Sequence, residues 1–143
     1  MSAKSKLVKT VVFDAAPALV WSFLTDKDKL GQWYHPGEAD LAEGQAYALG
    51  RPTEDGSRGP TIWGRVLEWD APRRLVTTFC IPPFGDKETT VTWELEEMAG
   101  GTRLTLTHEG IAEAAGDAAL PLAMALDDGW DKHLAGLRAS VAA

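Results

Sequence analysis

The C-terminal stretch of the chain, residues 118–143, carries the longest helical repeat of apolar positions. Alternating steps of four and three residues away from Trp130, in both directions, reach only apolar side chains. Asp128, Asp131 and Lys132 fall on or towards the opposite side. The pattern predicts a long amphipathic helix whose buried stripe must pack against an apolar surface. The stripe consists of Ala119, Ala123, Leu126, Trp130, Leu134, Leu137 and Val141.

Two stretches upstream could supply that surface, because apolar and polar residues alternate strictly along them. In residues 102–109, Leu104, Leu106 and His108 share one face. Residues 88–96 repeat the pattern, with Trp93 among the inward positions. The simplest fold that satisfies both patterns is a curved antiparallel sheet closed over one long helix.

The rest of the chain adds two short helices and further strands. A β-branched run predicts a strand at 5–13, and Pro17 fits the first turn of a helix that ends near residues 25–26. A second helix at 27–33 should end before His35-Pro36-Gly37. The element order predicts an α+β fold in a single domain over residues 1–143. Further strands are expected at 39–41, 45–49, 61–69 and 74–81, with a polar loop at 51–60.

Composition narrows the classes of function. The chain has 143 residues, 45% of them hydrophobic, and this is enough to build a globular core. Its net charge of −7, without a basic patch, disfavours nucleic acid as a partner. No apolar run is long enough to span a membrane and no signal peptide is evident, so a cytoplasmic protein is expected. Cys80 is the only cysteine and cannot form an internal disulfide.

Short motifs along nearly the whole chain resemble those of the START-like, helix-grip (SRPBCC) superfamily, which has the birch-pollen-allergen fold. Within it, the chain is most similar to the family named after the activator of the heat-shock chaperone ATPase. Each motif alone is weak, and their order along the chain is what carries the resemblance. The matching residues are Ala16-Pro17, Val20-Trp21, Leu24-Thr25-Asp26, Leu30, Trp33, Gly64, Val66, Glu68, Pro72-Arg73-Arg74-Leu75, Thr90 to Leu95, Gly101 to His108, Gly129-Trp130 and Leu134.

The resemblance implies a sheet that grips the C-terminal helix around a hydrophobic cavity. In related proteins this cavity holds lipids, polyketides or other apolar small molecules. In cyclase-like members it also contains acid–base residues. The fold hosts many unrelated roles, so the activity must be argued from the site itself.

Aromatic side chains are the first candidates for such a site. On strand alternation and the helical stripe, they should border the space between sheet and helix, and Leu126 joins them from the helix. As a wall they offer flat apolar area with indole N–H groups for polar contacts. Alternatively they simply fill the core. The candidate ligand-binding residues, with His108 added as a polar anchor, are Trp63, Phe79, Trp93, His108, Leu126 and Trp130.

His108 is the most informative polar residue, because it shares a strand face with two leucines. A neutral imidazole there could bind a polar group of a ligand or act as a general acid or base. Alternatively it is a core histidine that is satisfied by a backbone or hydroxyl partner. Catalysis would require an acidic or hydroxyl neighbour, for which Asp127 is the candidate by pattern.

Other chemistry finds no support in the sequence. His35, His108 and His133 lie on separate elements without metal-ligand spacing, so neither a metal nor a cofactor is expected. Cys80 lies in a predicted buried strand, where burial should raise its pKa and make it unreactive. There is no Gly-x-Ser-x-Gly elbow, phosphate loop or dinucleotide fingerprint, and hence no recognisable catalytic motif.

Two glycines, Gly129 and Gly136, lie on one side of the long helix. Because glycine disfavours a helix, they suggest close approach of a loop, a ligand or a second subunit, and a homodimer stays open. The leading hypothesis is a protein that holds a small apolar or aromatic molecule between sheet and helix. The alternatives are a cyclase- or dehydratase-like enzyme that uses His108 and a chaperone-regulating interaction module.

Overall fold

The computed structural model describes residues 6–37, 39–50 and 62–142, which form an α+β fold with a six-stranded antiparallel sheet. The strand order is β1-β6-β5-β4-β3-β2, so the first strand pairs with the last one. The strands are β1 (Lys6–Phe13), β2 (Ala46–Leu49), β3 (Ile62–Asp70), β4 (Arg74–Phe79), β5 (Thr89–Met98) and β6 (Gly101–Glu109). The helices are α1 (Pro17–Thr25), α2 (Lys27–Trp33), α3 (Ile111–Ala115) and α4 (Ala119–Ala142).

Helix α4 packs on the inner face of the sheet, as the periodicity predicts. Its stripe buries Trp130, Leu134 and Leu137 completely, while Ala123 and Leu126 are partly buried against the same core. The alternation of β5 and β6 is also confirmed, since their inward-facing residues are all buried. These residues are Val91, Trp93, Leu95, Leu104, Leu106 and His108. No helix in the described ranges is long and apolar enough to cross a membrane.

The short helices α1 and α2 meet at a single residue, Asp26, which ends one helix and caps the next. Its backbone N–H donates to the carbonyl of Ser22, while its carboxylate accepts from the backbone N–H groups of Asp28 (2.9 Å) and Lys29 (3.2 Å). The Trp33 indole, at the end of α2, donates to the carbonyl of Phe23 in α1 at 2.8 Å. This pairing fixes the end of α2 beneath α4, where the candidate site lies.

Two local predictions differ from the structure. Residues 39–41 are not a strand: the backbone N–H of Leu41 donates to the carbonyl of Thr25 (2.8 Å), which ties this segment to α1 instead of the sheet. Helix α3 was not predicted, because five residues are too short for a helical repeat to be recognised. It begins after Gly110, whose φ of 91° favours glycine. The polar loop at 51–60 lies outside the described residues.

Gly64 in β3 is expected to be sensitive to any side chain. A Cβ at this position would overlap both the carbonyl and the hydroxyl oxygen of Thr78. The Thr78 carbonyl accepts from the Tyr47 hydroxyl, and the Thr78 hydroxyl accepts from the Arg65 backbone N–H at 2.9 Å. Gly64→Ala should therefore lower the free energy of unfolding by about 1–3 kcal/mol, measured by urea denaturation. Gly129→Ala is the control, because its Cβ would meet no atom within 4 Å. Equal stability of the two variants would contradict the expectation.

Candidate functional site

The space between sheet and α4 is occupied by a cluster of aromatic rings centred on Trp130. Its indole stacks on Tyr34 at 5.6 Å between ring centroids and meets the edge of Trp93 at 5.6 Å. Phe79 approaches it at 5.8 Å from the sheet side. Trp130 is 3% exposed, so most of its surface packs against other side chains of the core.

Beneath Trp130, a chain of hydrogen bonds runs into the sheet through His108. The Trp130 indole N–H donates to His108 Nδ1 at 3.1 Å. This leaves the imidazole proton on Nε2, which lies 2.8 Å from the hydroxyl of Thr89, and that hydroxyl donates to the Phe79 carbonyl at 2.7 Å. Every donor in this chain of hydrogen bonds thus has an acceptor.

His108 is consequently a core residue with both nitrogens engaged. It has no exposed surface, and burial lowers its pKa to about 4, so that it is neutral at pH 7. The acidic neighbour considered from the sequence, Asp127, pairs instead with Lys9 of β1. Thr89 supplies the hydroxyl neighbour, but its proton is directed at a carbonyl, so His108 does not activate it as a nucleophile.

The inner part of the sheet–helix space is almost filled. A cavity of about 30 Å³ remains between Tyr47, Trp93 and Trp130, and this is room for about one water molecule. Burial raises the pKa of the Tyr47 phenol, whose hydroxyl donates to the Thr78 carbonyl. An organic ligand does not fit in this inner cavity as it stands.

A second, larger cavity of about 160 Å³ lies at the open end of the same space, between the end of α2, strands β3 and β4, and helix α4. We call it the outer cavity. Gly129 borders it, and a Cβ there would meet no atom within 4 Å, whereas a Cβ at Gly136 would lie 3.6 Å from the Trp33 carbonyl oxygen. Tyr34, Phe79 and Trp130 border both cavities and separate them. The outer cavity is lined by Tyr34, His35, Ile62, Phe79, Ile81, Ala125, Leu126, Gly129, Trp130 and His133.

Two histidines meet at the rim of the outer cavity, with 5.4 Å between the ring centroids of His35 and His133. Both rings also contact Tyr34, at 4.7 and 4.8 Å. The His133 Nδ1 lies 3.3 Å from the Trp33 carbonyl, which can only accept, so Nδ1 carries a proton. Burial lowers the pKa of His133, although this hydrogen bond opposes the shift.

The sequence does not predict that these histidines lie close together, because they belong to separate elements that are far apart along the chain. His133 and its carbonyl partner Trp33 are 100 positions apart, and His35 is just beyond α2. The available signal was the spacing of His133, which follows Gly129 by four residues on one side of α4. No group of three or more potential metal ligands occurs within the described ranges.

The six side chains expected to bind a ligand are therefore not brought to one space. Phe79 and Trp130 border both cavities, Trp93 only the inner one and Leu126 only the outer one. His108 and Trp63 border neither cavity. Trp63 follows the buried Ile62 in β3, so alternation places it on the opposite face of the sheet.

A sheet wrapped around one long C-terminal helix, with a cavity at one end, defines a helix-grip protein. The chain belongs to the family of Activator of Hsp90 ATPase homolog 1-like proteins, whose family model matches residues 14–142. No curated protein matches the chain significantly.

Solved structures extend the similarity in fold. CalU16 from Micromonospora echinospora is 25% identical, with a TM-score of 0.75 over 96% of this chain and 76% of that one. DynU16, a putative protein of the dynemicin biosynthetic locus, is 20% identical with a TM-score of 0.72; the match covers 93% of this chain and 45% of DynU16. An HSP90 activator from Plasmodium falciparum is 23% identical, with a TM-score of 0.60 over 73% and 71% of the two chains.

Proposed function

We propose that this protein binds a small aromatic or apolar molecule in the outer cavity. The observation that carries the proposal is the cavity beside Gly129, in which a helix position without a side chain faces space that none of the other described residues fills. Mid-helix glycine costs about 1 kcal/mol relative to alanine. If the cavity stayed empty, this glycine would lower the stability of the helix and no other interaction would compensate. A bound molecule that occupies the cavity explains why a side chain is absent at this position.

The size of the cavity limits the ligand to about one aromatic ring. An apolar protein cavity of about 150 Å³ is known to bind benzene, and the outer cavity has about 160 Å³. The ring would lie between Phe79, Trp130 and Leu126, which offer aromatic and aliphatic surface on three sides. A fused multi-ring molecule would require these side chains to move.

The two alternative functions have less support. An enzyme that uses His108 would need a path from the ligand to a side chain that is fully buried and hydrogen-bonded at both nitrogens. A chaperone-regulating module is suggested by the Plasmodium falciparum relative, which is similar to this chain in fold.

The proposal is tested by filling the cavity from the helix. Gly129→Leu should place a side chain where the ligand ring would lie and weaken the binding of toluene at least tenfold, or about 1.4 kcal/mol. Binding is measured by NMR titration that follows the indole N–H of Trp130. The helix should be no less stable, because leucine is a better helix former than glycine.

Ala135→Leu is the matched control, because it adds a leucine at an exposed position of the same helix, away from the outer cavity. It should leave toluene binding unchanged. Saturable binding that survives Gly129→Leu would contradict the proposed location, and absence of saturable binding to the unmodified protein would contradict the proposed function.

A further inference from the structure

We infer that the ligand of the outer cavity is an aromatic acid, a single-ring molecule whose carboxyl group is bound by His133 Nε2 at the rim. This inference rests on the proposed function and names the chemical class of its ligand. It is carried by the orientation of His133, by the polar groups that line the cavity and by the position of His133 relative to Gly129.

The hydrogen bond at Nδ1 determines what His133 can offer. Since the Trp33 carbonyl holds the Nδ1 proton, the neutral ring presents an unprotonated Nε2. No hydrogen bond to Nε2 is formed within the described ranges. An acceptor nitrogen at a cavity rim pairs with an acidic O–H, and once protonated it donates to a carboxylate, where the bond is charge-assisted.

The remaining polar groups favour an acid over a base. Among the described residues that line the outer cavity, only Tyr34, His35 and His133 have polar side chains, and none is a carboxylate. Among these described residues, an ammonium ligand would find no anionic partner to replace the hydration that it loses. A carboxylate would meet the His133 imidazole, which can take up a proton at Nε2 to neutralise it.

The positions of Gly129 and His133 on α4 also match the two ends of such a ligand, the ring and the carboxyl group. Gly129 and His133 are four residues apart and thus lie one above the other on α4. A ring in the space beside Gly129 would direct a substituent along the helix towards the His133 imidazole. The ring stays among apolar side chains, and the carboxyl group reaches the rim where water has access.

Binding of a carboxylate should be coupled to proton uptake. The anion enters without its proton, and His133 takes one from solvent at Nε2, so that the complex contains an imidazolium–carboxylate pair. Among the described residues, the other titratable groups facing His133 are Tyr34, whose pKa burial raises above its ordinary value, and His35. The lining residues of β3 and β4, Ile62, Phe79 and Ile81, do not titrate. Because His133 is neutral in the free protein at pH 7, affinity should rise as pH falls.

The test compares benzoate with its neutral isostere benzamide by NMR titration at pH 8, 7 and 6. Benzoate affinity should increase up to about tenfold per pH unit, the limit for uptake of one proton, while benzamide affinity should stay constant. In His133→Asn, whose amide nitrogen keeps a donor for the Trp33 carbonyl but removes Nε2, benzoate binding should be weak and independent of pH. His35→Gln should keep the pH dependence, and melting curves check that both variants are folded.

The outcomes separate the two proposals. Equal, pH-independent binding of benzoate and benzamide would overturn the assignment of an acid and leave the proposed function intact. A pH dependence that persists in His133→Asn would overturn the role of His133. If neither compound nor toluene binds saturably, the proposed function itself falls, and the acid assignment falls with it.

Discussion

Replacing Trp130 with alanine is expected to lower the free energy of unfolding by about 3–5 kcal/mol, the range for removal of a large buried aromatic side chain. The position is 3% exposed and its ring contacts Tyr34, Phe79 and Trp93. The substitution leaves a void between sheet and helix and removes the indole donor of His108. Urea denaturation should show a clearly lower midpoint.

Trp130→Phe separates the two contributions. Phenylalanine keeps most of the ring contacts but has no N–H, so His108 Nδ1 loses its donor inside the core. The expected cost is about 1–3 kcal/mol, the penalty for a buried polar group without a partner. An unchanged denaturation midpoint for Trp130→Ala would contradict the burial of this indole between sheet and helix.

The sequence predicts those helices and strands in which the repeat of apolar and polar positions is long. The stripe on α4 and the alternation on β5 and β6 each span eight or more residues, so local periodicity outweighs noise. Residues 39–41 show the opposite case. Their apolar character reflects the packing of Leu41 against the core near α1, a tertiary contact that no local pattern reveals.

The candidate site was less predictable, because its geometry depends on which rings fill the space. Periodicity correctly directs Trp93, His108 and Trp130 inward, but it does not show that they pack against one another and leave room for about one water molecule. The outer cavity exists because Gly129 has no side chain, and His133, four residues further along α4, borders it. The sequence singled out the glycine without showing what it approaches.

The space between sheet and α4 has two parts: an inner part that side chains almost fill and an outer part that contains the larger cavity. Tyr34, Phe79 and Trp130 form the boundary, so a change in any of them alters both stability and the floor of the outer cavity. His133, which is proposed to bind the carboxyl group of the ligand, borders only the outer cavity.

Acid should destabilise the protein through His108. Its pKa is about 4 in the folded state because of burial, against an ordinary value of 6.5. A base whose pKa is lowered by folding stays neutral in the native state, while the unfolded chain takes up a proton below pH 6.5. Unfolding is therefore increasingly favoured as pH falls from 6.5 towards 4, by roughly 3 kcal/mol in total from this residue. Above pH 6.5 this contribution to stability is fully present.

The contribution is isolated by comparing pH profiles of stability in the wild type and in His108→Gln. Glutamine does not titrate and keeps a donor for the Thr89 hydroxyl, although the Trp130 indole loses its acceptor. The variant should be less stable at pH 7, and its free energy of unfolding should fall less steeply below pH 6.5. All other side chains are the same in both proteins, so their contributions cancel in the difference. If the free energies of unfolding of the two proteins fell in parallel below pH 6.5, a neutral His108 in the core would be contradicted. An NMR titration that gave His108 a pKa near 6.5 in the folded wild type would contradict it as well.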